Sequence, residues 1–339
     1  MIVALLAAVL TVAGPPGPAS AVAPRVAQQW SSLMYHSLTP TPAYVQLRKT
    51  LATQRATLAT RAQQLTTGRT AHGTAQTALT TAIAADAAAR TRSVVAREAL
   101  TSARNTLTLV SQRRPRNGVA VTGARNAITA AAKTVTTRRT QAGEAATALK
   151  AALAASRTAT VNLDRATAAW ETATATVRAN QQKLIALDHS AELAAQAAAI
   201  SRDVVTEIRP GFVVADSTTV YGVTVHQKVA FAFRRMLDAA KADGIILSGG
   251  GFRTKARQIQ LRTINGCPDV WTAPASSCRV PTAIPGRSLH EIGLAIDITS
   301  GGKSLTANSA AFRWLAANAG RYGFVNLPSE PWHWSITGG

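Results

Sequence analysis

Aromatic residues are scarce in this 339-residue chain, where Phe, Trp and Tyr together make up 5%. Between Tyr44 and Pro210 the one aromatic is Trp170, and between Pro42 and Pro210 the one proline is Pro115. A globular core over that stretch would need many more large apolar side chains, so a compact domain is excluded there. Acidic residues are also few: 16 Asp and Glu stand against 37 Lys and Arg, for a net charge of +21. Such a balance favours a polyanionic partner, whether nucleic acid, an anionic membrane or an anionic wall polymer. Nucleic acid is the poorest fit, because basic residues strung along helices without aromatics offer neither base stacking nor edge contacts. Only two cysteines occur, Cys267 and Cys278, in a loop rich in Pro, Ala and Ser. A lone pair at this spacing matches no common zinc pattern, and in an exported chain a disulfide is the default.

Long apolar runs are missing beyond the N-terminus, where Ile2 to Ala13 is of signal-peptide length and too short to span a bilayer. Gly14 and Pro15 break the run, and Ala19-Ser20-Ala21 offers a cleavage site, although no Lys or Arg precedes it. The expectation is a signal peptide over 1–21, a Pro-rich linker over 22–41, and a secreted protein at the cell wall, on the extracellular face of a bacterial membrane.

What the middle does contain is a seven-residue rhythm. Leu51, Leu58, Leu65, His72 and Leu79 mark one arm; Ile128, Val135, Ala142, Leu149, Ser156, Leu163, Trp170, Val177 and Leu184 mark another. A heptad stripe keeps one face against a partner helix. Arg113-Arg114-Pro115-Arg116-Asn117-Gly118 breaks the helix between them. Residues 42–207 therefore read as an antiparallel coiled-coil hairpin turning near 113–119. Residues 24–208 carry 23 basic and 9 acidic residues, against 14 and 7 from Arg209 onward. An anionic wall polymer or a membrane-protein partner suits that excess.

At Pro210 the composition changes: all six Phe and four of the six Trp lie beyond it. Residues 208–339 read as an α+β domain, a small mixed or antiparallel sheet with flanking helices. Apolar periodicity predicts helices over 226–242, 254–263 and 308–322. Strands are expected at 245–248, 294–299 and 332–336, with Gly249 to Gly251 turning the chain.

Two stretches carry chemistry: Ser288-Leu289-His290-Glu291-Ile292-Gly293-Leu294-Ala295-Ile296-Asp297 and Glu330-Pro331-Trp332-His333-Trp334. Strand alternation puts Asp297 opposite Leu294, Ile296 and Ile298, and His333 opposite Trp332, Trp334 and Ile336. Both can therefore enter one cleft while their neighbours fill a core. Two imidazoles and a carboxylate leave one position open on a zinc ion, as catalytic sites do, and Glu330 is placed to move a proton. His290-Glu291 is not the start of a helical His-Glu-x-x-His motif, because Leu294 occupies the fourth position. Glu291 reads as a loop residue or a support behind the ligands.

Ser-x-His-x-x-Gly-x-Ala-x-Asp followed by Glu-Pro-Trp-His resembles the zinc D-alanyl-D-alanine carboxypeptidases of the VanY type, over residues 215–337. The resemblance implies one zinc ion held by His290, Asp297 and His333, with Glu330 as the catalytic base that activates the zinc-bound water. The family's Ser-Gly-Tyr-Arg-Ser stretch maps to Ser248-Gly249-Gly250-Gly251-Phe252-Arg253-Thr254, with an extra glycine and Phe252 for Tyr. It implies that Arg253 polarises the scissile carbonyl or holds substrate. Ser288 and Gln258 are assigned to substrate binding. The implied substrate is a peptidoglycan stem peptide with D-amino acids. A peptidoglycan endopeptidase of the same fold, or a non-catalytic wall-binding module that uses the coiled coil for interaction, is the competing expectation.

Overall fold

The computed structural model describes residues 25–339, so the expected signal peptide over 1–21 lies outside the described residues. In chain order the helices and strands are α1 (Arg25–Leu38), α2 (Pro42–Gln112), α3 (Gly118–Ala186), α4 (Ser190–Ile208), β1 (Ser217–Val220), β2 (Val223–His226), α5 (Gln227–Ala242), β3 (Ser248–Gly250), α6 (Lys255–Ile264), β4 (Ala295–Ser300), β5 (Lys303–Ser304), α7 (Ala310–Asn318), β6 (Val325–Leu327) and β7 (Glu330–Ser335). Two units result: residues 46–185, and residues up to 45 together with 186–339. Among the described residues no helix is long and apolar enough to cross a membrane.

Residues 46–185 form an antiparallel helical hairpin. Leu51 and Leu65 are buried in its seam, and Gly68 faces Leu163 and Ala166 of the opposite helix. The heptad of the first arm continues into polar positions, Asp86 and Ser93, both buried. Gln54 and Asn180 bond across the pair at 3.0 Å. Small and polar residues thus fill much of a seam where aliphatic residues supply most of the stability of a coiled coil. His72 is half-buried in it, beside Gln76.

The hairpin is shorter than the expected 42–207. Helix α3 stops at Ala186, and Asp188 Oδ1 accepts from the backbone N–H and hydroxyl of Ser190 at the start of a new helix, α4. Helix α4 belongs instead with the C-terminal unit. The expected linker over 22–41 is corrected in the same way, because most of it is α1. Ala27, Trp30, Met34 and Ser37 recur at helical spacing and are buried. Trp30 is fully buried against Gly323, and its indole N–H donates to Ser201 Oγ at 3.1 Å. Helix α1 is therefore part of the core, bounded by α4 and α5, and no spacer.

The main sheet is antiparallel, ordered β3-β4-β7-β6, with β5 on the far end of β4. Ile296 and Ile298 of β4 and Trp334 of β7 bury one face against Val229, Phe233 and Met236 of α5. The expected strand over 245–248 is displaced: the pairing residues are Ser248, Gly249 and Gly250. A Cβ on Gly249 would collide with the carbonyl of Asp297, and one on Gly251 with that of Thr224. These glycines do not turn the chain; they let it lie against β4 and β2. Hairpin β1–β2 and strand β6 carry no strong alternation and are additions to the sequence reading.

Candidate metal centre and catalytic cleft

The register of the sheet builds the site. Asp297 of β4 pairs with Gly250 on one side and His333 of β7 on the other, so the three form a row across the strands. Gly250 has no side chain, and the space above it is open. His290 enters from a 3-10 turn, His290–Ile292, closed by Gly293 at φ 67°. A side chain at Gly293 would press on the backbone of His226, so only glycine lets the ligand turn sit so close to β2.

The three donors converge. His333 Nδ1 lies 3.0 Å from Asp297 Oδ1, His290 Nε2 lies 3.2 Å from the same oxygen, and the two imidazole nitrogens are 3.2 Å apart. All three ligand atoms lie within 4.8 Å of one another. His290 Nδ1 is 2.8 Å from the carbonyl of Gly251, an acceptor, so that nitrogen carries the proton and Nε2 presents its lone pair to the centre. Burial pushes the His290 imidazolium down, keeping the ring in its neutral, ligating form. Burial opposes ionisation of Asp297, yet the contacts of His290 and His333 and the charge of Arg253 hold it well below the usual carboxylate range. A neutral imidazole nitrogen and a carboxylate oxygen facing each other at this range are both acceptors, and a cation between them resolves that opposition. Two nitrogens and one carboxylate oxygen, with second-sphere contacts in place, fit a catalytic zinc ion.

Arg253 donates from Nη2 to Asp297 Oδ2 at 3.2 Å, and its backbone N–H donates to the carbonyl of His290 at 3.1 Å. It is therefore inside the cleft and tied to a ligand. Glu330, on the first residue of β7, lines the same cleft of about 330 Å³. Burial pushes its carboxyl up, with the negative charge of Asp297 adding to the rise and His333 and Arg253 opposing it. Ser288 is buried; its Oγ accepts from the backbone N–H of His290 at 3.3 Å, which supports the ligand turn. Gln258 is 1% exposed and donates to the carbonyl of Ala283 at 2.7 Å, while its Oε1 finds no partner among the described residues. It forms part of the cleft wall, with little surface of its own.

Three residues that the sequence reading left out of the site, or placed only loosely, organise it from behind. Both carboxylate oxygens of Glu291 accept from the backbone N–H of Gly286, at 2.8 and 3.1 Å, closing the turn that carries His290. Arg209, just past α4, donates from Nη1 to the carbonyls of Gly286 at 2.8 Å and Ser288 at 3.4 Å. Arg262 is fully buried and donates to the carbonyls of Asp269, Ala273 and Thr282. Together with the Cys267–Cys278 disulfide it staples the loop whose far end, Val280 to Ala283, walls the cleft. Carbonyl acceptors leave no pattern in a sequence, so none of these partners could be read from it.

Two imidazoles and a carboxylate on the open face of an antiparallel sheet, with a second carboxylate beside them, could hold a single metal ion. The comparison with known proteins is in keeping. Residues 222–339 match the VanY family model, D-alanyl-D-alanine carboxypeptidase. A D-alanyl-D-alanine carboxypeptidase of Enterococcus faecalis is 28% identical over 134 residues, covering 34% of this chain and 50% of that protein. The chain spans about half the length of the curated relatives it matches. Among solved structures, a mutant of the vancomycin-resistance D,D-pentapeptidase VanY in complex with Zn(II) is 25% identical, with a TM-score of 0.30, over 38% of this chain and 82% of that one. VanYB in complex with D-alanine-D-alanine is 26% identical, with a TM-score of 0.30, over 38% and 80%.

Proposed function

We propose that the C-terminal unit is a zinc-dependent peptidase that removes D-alanine from the D-Ala-D-Ala end of peptidoglycan stem peptides. The observation that carries this reading is the convergence of His290, Asp297 and His333 in one cleft with Glu330. His290, Asp297 and His333 would hold the ion, which when bound acts as a Lewis acid and acidifies water to a pKa of roughly 7.

The chain's own residues supply the rest. Glu330 takes the proton of the attacking water and returns it to the nitrogen of the leaving D-alanine. Its half-buried position favours such a shuttle, because a carboxylate raised by desolvation is a stronger base than an exposed one. Arg253 keeps Asp297 oriented, and its remaining N–H groups face the cleft, where they stabilise negative charge growing on the scissile carbonyl. Ser288 and Glu291 hold the His290 turn, and Gln258 holds the wall at Ala283. The disulfide supports a location outside the reducing cytoplasm, at the cell wall.

The test is digestion of purified peptidoglycan and of a synthetic pentapeptide by the full chain, with and without chelator, with products identified by mass. Release of free D-alanine that chelator stops is expected. Cleavage within cross-links and none at the free terminus would make the protein an endopeptidase. Glu330→Gln is expected to lower kcat by roughly 10²–10⁴ with the metal retained; full activity in that variant would sink the mechanism.

A further inference from the structure

A second hollow lies beside the cleft. It is a groove of about 370 Å³, lined by Arg202 of α4, by Arg209 and by Arg287. Arg287 and Leu289 line both hollows, so the groove and the cleft share a wall. Among the described residues, none of the three arginines makes an ion pair with a carboxylate. The acidic group nearest in charge to Arg209 is Glu291, and both its oxygens are occupied by the Gly286 N–H. Arg209 spends Nη1 on two carbonyls, which do not neutralise it. Three guanidinium groups therefore line one concave surface with no carboxylate in ion-pair contact among the described residues, Glu291 acting on Arg209 only from further off. Guanidinium is weakly hydrated and presents a planar fork that matches carboxylate oxygens in pairs.

We propose that this groove is an anion subsite that binds a carboxylate of the substrate peptide lying away from the scissile bond. The proposal rests on the peptidase reading and extends it to substrate choice. The position argues for a substrate group over a free ion, because Arg287 and Leu289 wall both the metal cleft and the groove, so one bound peptide can reach from the cleft to the three arginines. It also argues against the carboxylate next to the scissile bond, which stays in the cleft with Arg253. Burial pushes the Arg209 guanidinium down, the negative charge of Glu291 opposes that shift, and the positive charge of Arg287 adds to it.

Two synthetic pentapeptides ending in D-Ala-D-Ala test this. One carries a D-glutamate whose free carboxylate is replaced by carboxamide in the other. The full chain is expected to prefer the acidic peptide by about tenfold in kcat/KM, chiefly through KM, with the preference shrinking as salt rises. Arg202 is exposed, and Arg202→Glu is expected to abolish or invert the preference while Arg202→Lys keeps part of it. Equal kcat/KM for the two peptides, or an unchanged preference in Arg202→Glu, overturns the proposal. Calorimetric binding of the same peptides to Glu330→Gln separates the two readings. Tighter binding of the acidic peptide with no hydrolysis by the parent chain upholds the groove and rejects the peptidase. Equal peptide binding, with retention on phosphate-bearing wall polymer lost in Arg202→Glu, assigns the groove to polymer phosphate and overturns the proposal.

Discussion

Arg209→Met removes the guanidinium that holds the ligand turn while keeping most of the apolar stem. The contact to the Gly286 carbonyl is short, 2.8 Å, but solvent-exposed; that to Ser288 is part-buried, yet at 3.4 Å it is long enough to add little. A hydrogen bond from a charged donor is worth about 1.5–3 kcal/mol, and exposure to water puts this one at the low end, so the turn loses about 1.4 kcal/mol of support. The turn bears directly on the metal centre, because Gly286 is also the donor to Glu291 and Ser288 the acceptor for the His290 N–H. If the loss falls on the His290 position, zinc affinity drops about tenfold, at the lower end of the roughly 10–100-fold range for outer-sphere partners of metal ligands. Competition between the full chain and a chromophoric chelator reads this directly, and thermal unfolding of the metal-free chain provides the control. A lower melting temperature with zinc affinity unchanged within about threefold would refute the argument, reducing Arg209 to an ordinary clamp between α4 and the sheet.

Trp30→Ala should destabilise the C-terminal unit by about 3–5 kcal/mol, measured by denaturant unfolding, since a fully buried indole bonded to Ser201 is lost from its core. By the same reasoning a chain starting after α4 should be poorly folded, which limited proteolysis would show. Cys267→Ser with Cys278→Ser should cost about 3 kcal/mol at most from loop entropy, given a separation of 11 residues, and should raise KM as the cleft wall loosens. His226 caps α5 by accepting the Lys228 N–H at Nδ1, and burial pushes its pKa down to about 4 from 6.5. The unfolded chain then binds the extra proton between those values. Stability is therefore full above about pH 6.5 and falls towards pH 4, by up to about 3 kcal/mol; His226→Asn should flatten that slope in unfolding measured against pH.

Much of the C-terminal unit was legible because its signals are local. The alternation around Asp297 and His333 is a property of six-residue strands, and the sheet register places the two side by side. Thr254 and the glycine at 293 announce a helix start and a tight turn by their chemistry alone, and the structure uses both. The heptads of α2 and α3 and the break at Pro115 likewise needed no tertiary knowledge, as 3.5-residue spacing is written along the chain.

What the sequence could not determine depends on which distant surface a residue meets. Trp30 looks like part of a Pro-rich spacer until Gly323 and Ser201 are seen to receive it. Gly249 and Gly251 read as a turn because the collision that requires them involves backbone from 48 residues later in one case and 27 earlier in the other. Arg209, Glu291 and Arg262 act on carbonyl and amide groups, which every residue has and no motif can flag. The sequence by itself determined which residues could ligate a metal and that Asp297 and His333 stand on strands while His290 precedes one. Only the tertiary structure decided that α1 and α4 complete the C-terminal unit and that three arginines, without ion pairs among the described residues, gather beside its cleft, because those outcomes rest on contacts between segments that share no local period.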